Sequence, residues 1–197
     1  DRAHKFLVIR KVGKTLKGSC FAQMREQIGR HFSYGEFAVN KSDMSITHVN
    51  GNSIIFSGLD DAEKLKSIYG ITDVWIEEAT EISEDDFDQL DIRCRERPSD
   101  YSQMILTFNP TSALHWIKRR FFDEAAGNAV IHNSTYKDNR FLTQEAIDVL
   151  ENFKNSNPYY YSVYCLNEWG VTGKCVFNAE LVNRRLREIR ASRMNSE

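Results

Sequence analysis

Two carboxylates stand side by side at the end of an apolar run in Thr72-Asp73-Val74-Trp75-Ile76-Glu77-Glu78-Ala79-Thr80. A buried strand that delivers adjacent acids to its C-terminal end has the parts that nucleotide hydrolysis uses. One carboxylate holds the hydration shell of a Mg2+ ion, and the next orients or deprotonates the attacking water. Successive residues of a strand face opposite ways, so the spacing predicts a division of labour between Glu77 and Glu78. The same pair could instead open a solvated acidic loop, and the motif alone does not separate the two. A second apolar run, Ile105-Leu106-Thr107-Phe108-Asn109-Pro110-Thr111, also ends in small polar groups. On a neighbouring strand, Thr107 or Asn109 would sense a γ-phosphate or the water. Asn-Pro is equally a common turn starter.

Other chemistries find less support. Cys20, Cys94, Cys165 and Cys175 are far apart with no CxxC pair, which suggests neither a zinc knuckle nor a disulfide framework and fits a reducing compartment. The five histidines form no HExxH and none lies within a helical turn of another. No apolar run approaches the roughly 20 residues that span a bilayer, and Asp1-Arg2-Ala3-His4-Lys5 has no signal-peptide character. The 197 residues are 41% apolar, enough for a full core, and carry 26 basic against 28 acidic side chains, a net charge of −2. That average hides a segregation. Residues 1–30 hold eight bases and two acids, residues 77–91 eight acids and no base, and residues 181–197 five arginines against two glutamates.

The elements that must position these groups alternate along the chain. Phe6-Leu7-Val8-Ile9 is a short continuous apolar run, as in a buried parallel strand. From Thr15, residues Leu16, Cys20, Phe21, Met24 and Ile28 recur at mostly helical steps until Gly29. Asn50-Gly51 between Ser45-Ile46-Thr47 and Ser53-Ile54-Ile55-Phe56 predicts a tight hairpin. Strands are expected at 71–76, 104–108 and 129–132. Helices are expected after Ser83, whose partner three residues on is Asp86, and over 113–125, 143–153 and 159–166. Strands alternating with helices give an α/β class with a parallel sheet. A basic stretch, Asn183-Arg184-Arg185-Leu186-Arg187-Glu188-Ile189-Arg190, ends the pattern.

In this order, several segments resemble the large subunit of tailed-phage terminases, of the prophage and Gram-positive phage type. They are Leu7-Val8-Ile9-Arg10-Lys11-Val12 with Thr15 and Ser19-Cys20-Phe21; Leu59-Asp60-Asp61-Ala62-Glu63-Lys64-Leu65-Lys66; Trp75 to Glu81; Leu106 to Pro110; Ser134-Thr135-Tyr136-Lys137-Asp138-Asn139; and Glu168-Trp169-Gly170. The resemblance runs to about Phe177. It implies a P-loop NTPase-like ATPase domain over 1–177, with a mostly parallel sheet flanked by helices and a small helical lid at about 140–175. Residues 178–197 would then be a basic helical tail or the start of a linker to a nuclease domain.

The resemblance further implies an ATP-driven motor that packages double-stranded viral DNA into a procapsid, with ATP and Mg2+ as cofactors. Its partners would be double-stranded DNA, the small terminase subunit, the portal protein and further copies of itself, in the host cytoplasm. By position Glu77 matches the Walker B acid, holding Mg2+ directly or through water, and Glu78 the catalytic carboxylate. Thr107, Phe108 and Asn109 match the coupling motif. Lys66 sits where relatives carry a trans-acting arginine, with Arg93 and Arg95 as alternatives, and Arg10 falls near the nucleotide. Lysine offers charge without the planar guanidinium fork.

The family's phosphate loop is expected before the strand Phe6–Ile9. Gly13-Lys14-Thr15 does not replace it, because Val8 stands where GxxxxGK[ST] requires its first glycine. That triplet reads as a loop and helix start, and the isolated chain is expected to hydrolyse ATP poorly. Two alternatives remain open at this point: a non-catalytic α/β module that binds nucleic acid or a partner, and a helicase-like ATPase. Lys118, Arg119 and Arg120 on one helix are candidate DNA contacts, or a solvated face.

Overall fold

The computed structural model describes residues 3–61, 65, 67–94, 101–124, 126–171 and 185. The chain divides after Phe108 into two compact units.

The first unit is built on a six-stranded sheet. In chain order its elements are β1 (Lys5–Arg10), α1 (Gly13–Leu16), α2 (Cys20–His31), β2 (Phe37–Asn40), β3 (Ser45–His48), β4 (Ser53–Gly58), β5 (Asp73–Glu77), α3 (Glu84–Arg93) and β6 (Gln103–Thr107). The sheet order is β2-β3-β4-β1-β5-β6. Strands β4, β1, β5 and β6 run parallel, while the β2-β3-β4 side is antiparallel. The sheet is therefore mixed. Its antiparallel part grows from the Asn50-Gly51 turn, where Gly51 holds φ 94°, a conformation glycine adopts without a Cβ clash.

One face of the sheet is covered by α1 and α2. Leu16, Cys20, Phe21 and Ile28 pack there against Val8, Ile46 and Phe56, with Trp75 half-buried at the margin. The helical register expected from Thr15 is broken at residues 17–19, so two helices stand where one was expected. On α3, Ser83 and Asp86 make a reciprocal capping box, and Glu84, Asp85 and Asp86 place negative charge at the positive end of the helix dipole. Phe87 and Leu90 are its buried residues.

The β1–α1 turn is pressed against the end of β4. The Gly13 amide donates to Asp60 Oδ1 at 2.9 Å. A Cβ on Gly58 would lie 2.0 Å from that oxygen and 2.2 Å from the Gly13 nitrogen, so no side chain fits. At the opposite, N-terminal end of β5, Asp73 is fully buried. Its Oδ2 accepts from His4 Nδ1 and Thr72 Oγ1, both at 2.6 Å, which ties β1 to β5.

The second unit contains a π-helical segment (Lys118–Asp123), α4 (Gln144–Ser156) and α5 (Pro158–Tyr160), which runs on into a π-helical turn (Tyr161–Cys165). The strand expected at 129–132 is not formed: these residues carry no regular structure, and Val130 is 97% exposed. Of the helix expected over 113–125, residues 116–123 are helical, while 113–115 and 124 are not. The family-like segment at 134–139 acts as a clamp. Thr135 and Asp138 form a capping box, and the Tyr136 and Tyr161 hydroxyls both donate to Glu151. These bonds hold the Glu151 carboxyl below its usual range and push the Tyr136 phenol upward. Gly170 lies against the backbone at Thr111, where a Cβ would meet the Thr111 oxygen at 2.4 Å. Of the basic tail, all but Arg185 lies outside the described residues.

Candidate active site

Parallel strands bring their C-terminal ends to one edge, and the register fixes what meets there. Ile9 pairs with Ile76, Ile76 with Leu106, and Glu77 with Thr107. Arg10, Glu77 and Thr107 thus end three adjacent strands at nearly the same level. Such an edge, outside the carboxyl ends of parallel strands, is where α/β folds place ligands.

Glu77 and Thr107 interact directly. The Thr107 hydroxyl lies 2.5 Å from Glu77 Oε2, and the Trp75 indole N–H donates to Thr107 Oγ1 at 2.9 Å. Trp75 and Glu77 are two residues apart on one strand, hence on one face, and Thr107 is brought beside them by pairing. A half-buried indole needs an acceptor for its single donor, and Thr107 supplies it.

Glu78 is not a strand residue. β5 ends at Glu77, and Glu78 adopts the left-handed conformation, φ 53° and ψ 51°, before the turn at Ala79–Glu81. The expectation that strand pleating separates the two acids is therefore corrected. The separation comes from a backbone reversal, stabilised by the Glu81 amide bonding to the Glu78 carbonyl at 2.8 Å and by the fully buried Ala79. Burial raises the Glu78 carboxyl above its ordinary value. The charge of Glu77 adds to this, Arg10 partly offsets it, and Glu81 adds slightly. Arg10 Nε lies 3.7 Å from Glu81 Oε2. Arg10 therefore sits among the acids, and Glu81, which the sequence reading gave no role, is its partner.

The remaining candidates are placed less centrally. Arg93 uses Nη1 to bond the Leu65 carbonyl at 3.2 Å. Lys66 and Arg95 lie outside the described residues. Phe108 ends the first unit and Asn109 begins the second. Lys118 is ion-paired with Asp123 at 2.6 Å, so its charge is already neutralised locally. Sequence reasoning missed Trp75 as a functional neighbour. The available signal was its position two residues before Glu77 on a strand.

A family model described as phage terminase large subunit matches residues 1–168. The chain is 32% identical over 186 residues to the PBSX phage terminase large subunit of Bacillus subtilis, covering 85% of this chain and 43% of that protein. It is 31% identical over 174 residues to the large subunit of the terminase of Bacillus phage SPP1, covering 83% and 41%. The chain thus spans about two-fifths of the curated relatives it matches. Among solved structures, the large terminase of a thermophilic bacteriophage superposes with TM-score 0.70 at 16% identity, over 87% of this chain and 42% of that one. The same terminase in complex with ATP-gamma-S gives 0.64 at 18% identity, over 87% and 41%. A Thermus phage large-terminase ATPase domain gives 0.53 at 13% identity, over 85% and 77%. The fold is that of the large-terminase ATPase domain, a P-loop NTPase-like fold.

Proposed function

Because the chain belongs to the phage terminase large-subunit family, we propose that it supplies the metal-binding and water-activating carboxylates of the ATPase that drives viral DNA packaging. The observation that carries this reading is the pair at the end of β5: Glu77 bonded to Thr107 across the strands, and Glu78 turned off the strand with its carboxyl raised. A nucleotide is the expected ligand, since the ATP-gamma-S complex named above is of a protein with this fold.

The donor set fits Mg2+. That ion favours hard oxygen ligands and is commonly held by one or two carboxylates, with substrate phosphates and water completing the shell. Glu77, with the Thr107 hydroxyl beside it, offers such oxygens. Among the described residues no cluster of three or more His, Cys, Asp or Glu could hold a metal, and a phosphate-completed site does not need one. Bound Mg2+ would neutralise charge developing on the transferred phosphoryl oxygens.

The protein's own groups divide the rest. Thr107 holds one oxygen of Glu77 toward β6. Glu78, with its proton affinity raised, is matched to orient a water and accept its proton, since a general base works best when its pKa approaches the working pH. Arg10 balances the acidic edge through Glu81. In the assembled motor a cation from a neighbouring copy, from Lys66, Arg93 or Arg95, would complete charge neutralisation. Thr107, Phe108 and Asn109 would couple the nucleotide state to the following unit.

The phosphate loop belongs, in this reading, to a further parallel strand beside β6. β6 has a single neighbour among the described residues, and Ile105 on it is 41% exposed. The whole protein would act in the host cytoplasm on double-stranded DNA, with the small subunit and the portal. No helix among the described residues is long and apolar enough to cross a membrane.

The test is hydrolysis and nucleotide-analogue binding by a large subunit that carries this chain. Glu78→Gln should retain Mg2+-dependent analogue binding while turnover falls by about a hundredfold to ten-thousandfold. Unchanged turnover in Glu78→Gln would remove the residue from the mechanism.

A further inference from the structure

The indole N–H of Trp75 has a consequence for Glu77 that follows from counting donors. A threonine hydroxyl carries one proton and two lone pairs, and an indole nitrogen can only donate. At 2.9 Å the Trp75 N–H occupies one lone pair of Thr107 Oγ1. The hydroxyl proton is then left two acceptors, Glu77 Oε2 at 2.5 Å and the Ile76 carbonyl at 3.4 Å. The carboxylate is nearer and charged, so it takes the proton. A directed chain results, from Trp75 N–H to the Thr107 hydroxyl to the Glu77 carboxylate, in which each bond polarises the next.

We propose that Trp75 is a positioning residue for the Glu77 carboxylate, acting through the Thr107 hydroxyl. By fixing Thr107 as a donor, Trp75 ties Oε2 of Glu77 to β6 and leaves Oε1 to face a cation. The tie also spans two strands beside their ladder, so the orientation of Glu77 depends on the β5–β6 register. This inference rests on the reading of Glu77 as the metal-binding acid.

The experiment measures the Mg2+ concentration needed for half-maximal binding of a fluorescent, non-hydrolysable ATP analogue to a large subunit carrying this chain. Trp75→Phe keeps an aromatic ring against the core margin and removes the donor, at the cost of some ring volume. It should raise that concentration about three- to tenfold, as loss of a partner behind a metal ligand does. Thr107→Val should do the same, and Trp75→Phe with Thr107→Val should be no worse than either alone. A purely packing role predicts a lower unfolding free energy in either variant with the Mg2+ requirement unchanged.

A second readout is independent of nucleotide and metal. The indole N–H resonance that vanishes in Trp75→Phe should shift in Thr107→Val. An unmoved resonance, or an unchanged Mg2+ requirement in Trp75→Phe where Glu77→Gln has a large effect, overturns the proposal. If Glu77→Gln itself leaves the Mg2+ requirement unchanged while the resonance shifts, the relay exists but Glu77 is not the metal acid. The functional reading then fails, and the positioning role falls with it.

Discussion

Glutamate resists the backbone conformation that Glu78 holds. For an L-residue with a Cβ the left-handed region costs about 1–2 kcal/mol, and such strain is retained where surrounding structure over-determines it. Glu78→Gly should therefore raise the free energy of unfolding by about 1 kcal/mol in urea denaturation, while turnover falls as in Glu78→Gln. A less stable Glu78→Gly would mean that the side chain's own contacts outweigh the strain. Cys94 gives a pH-dependent test. Its thiol donates to the Thr72 carbonyl at 3.1 Å, and burial, with Asp73 and Asp91 adding, pushes it up to about 11 from an ordinary 9.0. The folded state then keeps a proton that the unfolded chain releases. The contribution is complete below pH 9 and disappears as pH rises through about 11. The stability difference between neutral and alkaline pH should thus be smaller in Cys94→Ser than in the parent, measured by urea melts; an unchanged difference would sink this account. At this scale the placement of Glu77 and Thr107 at strand ends was legible, because each closes an apolar run. The Trp75 link and the Glu78 reversal were not. One depends on pairing between strands about 30 residues apart in sequence, and the other places a glutamate where no propensity would.

Strand β6 shows what an element reveals that a residue does not. It pairs on one side with β5 across Gln103–Thr107, and its other side has no partner among the described residues. In a parallel strand the amides point alternately to the two sides, so among the described residues only those directed at β5 have a strand partner. Hydrogen exchange should show alternating slow and fast amides along β6. Protection should become uniform in a protein that also carries the proposed phosphate-loop strand. Equal protection of all β6 amides without that strand would mean that the edge is already covered. The elements most legible in the sequence were those with local signals: the Asn50-Gly51 hairpin and the Ser83–Asp86 capping box. Strand β2 was missed because Phe37-Ala38-Val39-Asn40 is short, and its strand character comes from pairing with β3. The strand expected at 129–132 shows the converse. Val130 and Ile131 have strand-forming side chains, yet both are exposed and neither is paired in a strand among the described residues.

Across the molecule, strand order turns a linear segregation of charge into adjacency. The basic block leaves β1 and the acidic block leaves β5, and these strands are neighbours, so Arg10 comes to lie beside Glu81. The near-neutral total of −2 is thus compatible with a charged, locally compensated edge. The α/β class was legible because strands and helices alternate along the chain. The mixed sheet was not, since the direction of β2 and β3 follows from hairpin connections rather than from hydropathy. The contact between Gly13 and Gly58 also has a mechanical meaning. A joint with no room for a methyl group lets the two backbones come no closer: β4 cannot swing toward α1 without pushing its start ahead of it. Displacement applied at α1 would then reach the antiparallel flank as rigid leverage, instead of being lost in a slack turn.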